Sequence, residues 1–166
     1  MKHPTEVFDE WAIIGKDKGM ETSHSASVSE ILDFAISQMD KNSTGFKFLD
    51  FGCGNGWVAD KISKNNSCSL SMGIDGAKTM IINAEKRKSE AVFLLKDLNS
   101  FELNHKFDLI FSMEVLYYLE NPSLVIKKIR EMLNPNGRFI MGIDHYFENE
   151  ESHDCLLYTS DAADDP

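Results

Sequence analysis

From Phe46 onward the sequence alternates short apolar runs with segments whose apolar residues recur at helical spacing, and this alternation constrains the fold more than any other feature. Residues 48–51, 70–74, 92–95, 107–111 and 138–143 read as strands, and residues 57–64 and 77–88 read as helices. Asn121-Pro122 opens a further helix with a capping side chain followed by a first-turn proline. Leu124, Val125, Ile129 and Leu133 share one face of that helix, and Asn134-Pro135-Asn136-Gly137 turns the chain into the last strand. Strands separated this tightly by helices run parallel, because each crossover returns the chain to the same end of the sheet. The expected architecture is α/β: a doubly wound, mainly parallel sheet of about five strands with helices on both faces. In such sheets ligands lie at the carboxyl ends of the strands, so the residues that follow each strand are the ones to inspect.

Upstream, Ser27-Val28-Ser29-Glu30 has the pattern of a capping box, and Ile31, Leu32, Ala35, Ile36 and Met39 follow at helical spacing. A helix is therefore expected to begin at Ser27, leaving residues 1–26 as an amino-terminal cover segment whose own fold the sequence specifies poorly. Residues 27–154 form the expected domain. Residues 155–166 change character abruptly and show neither period. Read back into codons, they resemble the adapter that transposase-based sequencing libraries attach to fragments, so the expectation is a non-native tail with the native protein continuing beyond Asp154.

The 166 residues carry a net charge of -10, which argues against a nucleic-acid partner, since phosphate-backbone binding gathers Lys and Arg on one face. The start lacks a signal-peptide pattern, and no stretch approaches the ~20 apolar residues of a membrane span. A cytoplasmic location without membrane association is expected. Cys53, Cys68 and Cys155 lack the spacing of a metal site, so no metal is expected and the thiols read as free. Nothing in the sequence reports the oligomeric state.

The first strand runs into Asp50-Phe51-Gly52-Cys53-Gly54-Asn55-Gly56-Trp57. Three alternate glycines let the backbone turn sharply and approach a ligand, and the helix that follows offers free amides. A dinucleotide fingerprint would need glycine at position 57, which is Trp, and a pyrophosphate would meet the carboxylate of Asp50. A cationic or zwitterionic ligand suits the loop better. Asp75 ends the second strand 25 positions after Asp50, about where a carboxylate can take both hydroxyls of a ribose, although capping the next helix is a competing role. Asp97 can accept from an adenine amino group while Leu98 offers its amide, or Asp97 can simply close a turn. Met113 follows the fourth strand and can press on a base or pack in the core.

These residues resemble the class I S-adenosylmethionine-dependent methyltransferases, with a Rossmann-like fold, over about Phe46 to Asp144. Residues 49–56, Gly73-Ile74-Asp75, Asp97-Leu98, residues 107–119 and residues 134–138 match that family's motifs in order. The resemblance implies S-adenosylmethionine as cofactor, S-adenosylhomocysteine as product and a small-molecule methyl acceptor. It implies cofactor contacts from Asp50, Phe51, Gly52, Cys53, Gly54, Gly56, Asp75, Gly76, Asp97, Leu98 and Met113. Trp11, Met20, Tyr117 and Tyr118 become candidates for the acceptor pocket, and His145 and His24 candidates for a base should the acceptor need one. Asp108 reads as a backbone-satisfying residue outside the contacts. The family's last two strands would follow the point where this sequence stops, leaving residues 139–143 as an unprotected edge. A cofactor-binding module without turnover, or a nucleotide-cofactor oxidoreductase, are the alternative readings.

Overall fold

The computed structural model describes residues 2–39 and 45–143. His145 and the tail at 155–166 lie outside these residues. The described chain runs α1 (Pro4–Ile13), α2 (Asp17–Ser37), β1 (Phe46–Phe51), α3 (Trp57–Ser63), β2 (Cys68–Asp75), α4 (Lys78–Glu85), β3 (Val92–Leu95), β4 (Phe107–Met113), a 3-10 turn at Leu116–Tyr118, α5 (Pro122–Glu131) and β5 (Leu133–Gly142). The strands form one sheet in the order β3-β2-β1-β4-β5, every pair parallel. Order reverses across β1, so its carboxyl end, where the glycine loop begins, is the topological switch point.

Alternation along the strands divides the core. Leu49 and Phe51 of β1 join Met72, Ile74, Ile110, Val125 and Ile129 beneath α5. Phe46 and Phe48 face the other way and meet Val28, Leu32 and Ala35 of α2 with Val58, Ala59 and Ile62 of α3. Phe48, Phe51, Phe107 and Phe111 are fully buried, each such side chain contributing about 1.5–3 kcal/mol, so the aromatic strands anchor both layers. Asp108 acts at the far end of the sheet from the glycine loop. Its carboxylate accepts from the Lys47 amide at 2.8 Å and from Asn134 Nδ2 at 2.8 Å, joining β1 to the start of β5. The cap at Asn121 is present, its side chain accepting from the Leu124 amide at 3.0 Å. Among the described residues no helix is long and apolar enough to cross a membrane.

Three expectations need correction. The capping box at Ser27 does not start a helix: α2 begins at Asp17 and passes through it. The hydroxyls turn back along the helix instead, Ser25 to the Thr22 carbonyl at 3.4 Å and Ser29 to the Ser25 carbonyl at 2.6 Å. The amino-terminal segment is consequently helical, and the expected boundary after residue 26 falls inside α2. The helix after β2 closes at Glu85, with Lys88 in the left-handed region at φ 53. Finally, the turn at 134–137 is a bulge within β5 rather than a separate element. Phe107 pairs with Leu133 but Leu109 with Arg138. Gly137 is required there because a Cβ would lie 2.9 Å from the carbonyls of both Asn134 and Phe107.

Candidate functional site

The carboxyl ends of β1, β2, β3 and β4 open into one cleft roofed by α1 and the first turns of α2. It consists of two adjoining hollows of about 660 and 510 Å³ that share Met20, Gly52, Gly54, Met80, Met113 and Glu114.

The glycine loop forms its floor. Gly52 and Cys53 both donate their amides to the Ile74 carbonyl at 2.9 Å, tying the loop to the end of β2. Gly54, at φ 52, donates to Asp75 Oδ2 at 2.8 Å, and a Cβ there would meet only Met80 Sδ at 4.0 Å. Its backbone is thus open to a ligand. Gly56 serves packing: at φ 78, a Cβ would fall 2.5 Å from Phe93 Cε1 and 2.7 Å from Ala84 Cβ, so only glycine lets α3 start this close to α4 and β3.

Asp50 is 3% exposed, and its Oδ2 has no hydrogen-bond partner. Burial, with the neighbouring Asp75 carboxylate second, pushes the Asp50 carboxyl up to about 8. Asp75 accepts from the Ala77 amide through Oδ1 and from the Gly54 amide through Oδ2, both at 2.8 Å. Burial nonetheless raises its pKa above the usual carboxylate value, those two amides opposing the rise. It therefore ties the glycine loop to the residue that precedes α4, without capping the helix itself, while each oxygen keeps acceptor capacity. Asp97 is held below the ordinary value by the Asn99 amide at 2.9 Å and the Ser100 hydroxyl at 2.7 Å, which close its turn. Burial, then the Asp75 and Asp50 carboxylates, drives the Cys53 thiol up, so it stands as a neutral wall of the cleft.

The cleft gathers Asp50, Gly52, Cys53, Gly54, Asp75, Gly76, Asp97, Leu98, Met113, Met20, His24 and Tyr118 from the sequence-derived set. Phe51 and Gly56 support it from behind, Phe51 packing edge-on against Phe101 with centroids 5.1 Å apart. Trp11 and Tyr117 do not line it. Trp11 packs against Phe8 and under Lys16, whose Nζ lies 4.0 Å from the ring centroid. The Tyr117 hydroxyl donates to Glu114 Oε2. Phe8 takes the place expected of Trp11, its ring edge-on to Tyr118 at 5.1 Å.

Other residues of the site escaped the sequence reading. Glu114 lines both hollows in a left-handed conformation at φ 57; it directly follows β4, so the strand-end rule pointed to it. Asp17, Glu21, Asn55, Asn83 and Arg87 form a polar clasp beneath the cover. Arg87 donates from Nε to the Asn55 carbonyl at 2.7 Å, and from Nη2 to Asn55 Oδ1 at 3.0 Å and Glu21 Oε2 at 2.6 Å. Asn55 Nδ2 in turn reaches Asp17 Oδ2 at 3.2 Å. Asp9 accepts from the Thr79 amide at 2.6 Å, fastening α1 to the start of α4. The clasp joins residues 30 or more positions apart, and no local pattern announces such pairs.

Comparison with known proteins agrees with this geometry. A family model described as a methyltransferase domain matches residues 49–141. The ubiquinone biosynthesis O-methyltransferase of Pelagibacter ubique is 29% identical over 111 residues, covering 64% of this chain and 45% of the relative. A chain from a complex containing the Haloferax volcanii Trm112 methyltransferase activator superposes with a TM-score of 0.73 at 28% identity, over 93% of this chain and 66% of that one. The N-methyltransferase NodS from Bradyrhizobium japonicum, bound to S-adenosylhomocysteine, gives a TM-score of 0.58 at 27% identity, over 68% of this chain and 58% of that one. The chain spans about half the length of the curated relatives it matches. With the family motifs in order along β1 to β5 and the model matching more than half its residues, the chain belongs to the methyltransferase-domain family.

Proposed function

We propose that the chain binds S-adenosylmethionine in the cleft and belongs to an enzyme that moves the methyl group to a small-molecule acceptor. The observation that carries this reading is the charge of the site. Asp50 lines the cleft with a buried, unpartnered carboxylate oxygen, and among the described residues neither Lys nor Arg lines it. Such a site suits a cation, which Asp50 can pair with on giving up its proton, and offers a diphosphate no Lys or Arg partner among the described residues, which disfavours a dinucleotide.

The residues present fit the cofactor. Asp50 takes its ammonium, with Gly52 and Gly54 offering close backbone approach. Asp75 accepts from the ribose hydroxyls through capacity left beside its two amide contacts. Asp97 and Leu98 meet the adenine edge, and Met113 and Gly76 flank the ring. When bound, S-adenosylmethionine supplies a sulfonium methyl carbon that an acceptor lone pair attacks, the carbon–sulfur bond breaking with its electron pair to sulfur. The protein's part is alignment and exclusion of water, for which α1 and α2 form the roof and Met20 and Tyr118 the walls. His24 lies within the cleft and is the candidate to hold a proton from a hydroxyl acceptor.

Titration calorimetry with S-adenosylmethionine, S-adenosylhomocysteine and NADH tests the reading. Binding of the first two and not the third is expected; failure of both to bind refutes it.

A further inference from the structure

Asp50 is not the only buried acid with an idle oxygen in the cleft. Asp17, in the first turn of α2, is 4% exposed; its Oδ2 is engaged by Asn55 Nδ2 at 3.2 Å and Asn83 Nδ2 at 3.4 Å, while its Oδ1 has no partner. Both acids line the smaller hollow, as does Trp57. Burying a carboxylate oxygen without a donor costs stability, roughly 1–3 kcal/mol for a neutral group and more for a charged one. Such an atom is retained where a ligand supplies the missing donor. The cofactor assigned above brings one ammonium, which Asp50 takes. Asp17 is then left over, on the cover segment rather than on the loop, and its two amide partners hold the carboxylate in place.

We infer that Asp17 forms an ammonium subsite for the methyl acceptor, which is therefore an amine: Asp17 Oδ1 receives the ammonium and takes the proton that must leave before the nitrogen lone pair attacks the methyl carbon, and Trp57 lies in the same hollow. The inference rests on the methyltransferase reading and narrows its acceptor class. Three features converge on it: the orphaned Oδ1, an aromatic residue in the same hollow, and a lining that, among the described residues, holds Asp17, Asp50 and Glu114 but neither Lys nor Arg, which favours a cationic acceptor over a phosphorylated one.

The test uses the chain saturated with S-adenosylhomocysteine and three probes of matched shape: phenethylamine, phenethyl alcohol and phenylpropionate. Calorimetry should find phenethylamine bound about tenfold more tightly than the alcohol, with phenylpropionate weakest. Asp17→Asn should abolish that preference while S-adenosylhomocysteine still binds. Asp17→Ala, which adds no amide donor, runs in parallel, and both variants are first checked for cooperative melting. Equal binding of the three probes by the unaltered chain, or no binding of phenethylamine, overturns the inference without any variant. So does an amine preference that survives in a folded variant. A large loss of S-adenosylhomocysteine affinity in the variants would assign Asp17 to the cofactor's own ammonium and also overturn it. Failure of the unaltered chain to bind S-adenosylhomocysteine would instead refute the methyltransferase reading.

Discussion

Replacing Asp50 by Asn should move stability and ligand binding in opposite directions at neutral pH. The folded-state value is about 8 against 3.8 for an ordinary carboxyl, so the folded protein holds a proton that the unfolded chain has released. The sign follows from linkage. The contribution of a group whose folded pKa is raised is fully present below about 3.8, declines as pH rises, and is lost above about 8. At about 1.36 kcal/mol per pH unit, the aspartate chain should lose about 2.5 kcal/mol between pH 5.5 and 7.5 from this group. Asparagine does not ionise in either state and escapes that loss. Its amide replaces an oxygen that already lacks a partner, a penalty of about 1–3 kcal/mol that does not vary with pH. The difference between variant and parent should therefore shift by about 2.5 kcal/mol in the variant's favour across this range. Urea unfolding followed by fluorescence of Trp11 and Trp57 measures it. A difference that stays flat with pH would refute the argument, whatever its size. Binding should fall in the same variant by tenfold or more, the scale of losing one charge-assisted hydrogen bond of about 1.5–3 kcal/mol.

Further outcomes follow from the same geometry. Gly56→Ala should cost about 2–5 kcal/mol in urea unfolding, since it adds left-handed strain to an overlap with Phe93 and Ala84; a cost below about 1 kcal/mol would mean that α3 can shift freely. Asp75→Ala should weaken S-adenosylhomocysteine by about tenfold or more in calorimetry, through the lost ribose acceptor and the freed Gly54 amide, and unchanged affinity would remove Asp75 from the site. Arg87→Ala breaks contacts to both Asn55 and Glu21, so amide exchange in α1 and α2 should quicken while β1 and β4 stay protected; uniform exchange would show that the cover is held by other contacts.

How far the sequence revealed these features depends on the range of the interactions behind them. Strands β1 to β4 were legible because short apolar-rich runs stand between helical segments, and the glycine loop because three glycines in alternate positions have few uses. Asp75 and Asp97 were legible because they stand at strand ends. The cover was not. Ser27 to Glu30 has the composition of a helix start, but serine hydroxyls can equally bond the preceding turn, and burial of Val28, Leu32 and Ala35 against the sheet carries the helix through. Asp17 and Arg87 gain their roles from Asn55, Asn83 and Glu21, partners that only the folded chain brings near. Phe8 and Trp11 illustrate the same limit: both are aromatic and three residues apart on α1, and only packing decides which one faces the cleft.

Cofactor binding in this cleft turns on a neutral, buried Asp50 meeting the ammonium of S-adenosylmethionine. Calorimetric titration of that ligand at pH 7, in two buffers of different ionisation enthalpy, tests it most directly. A carboxyl with a value of about 8 is about nine-tenths protonated at this pH, and pairing with a cation should release that proton. Tight binding with close to one proton released is expected, falling to near zero in Asp50→Asn. Binding without proton release, or no binding, would contradict it.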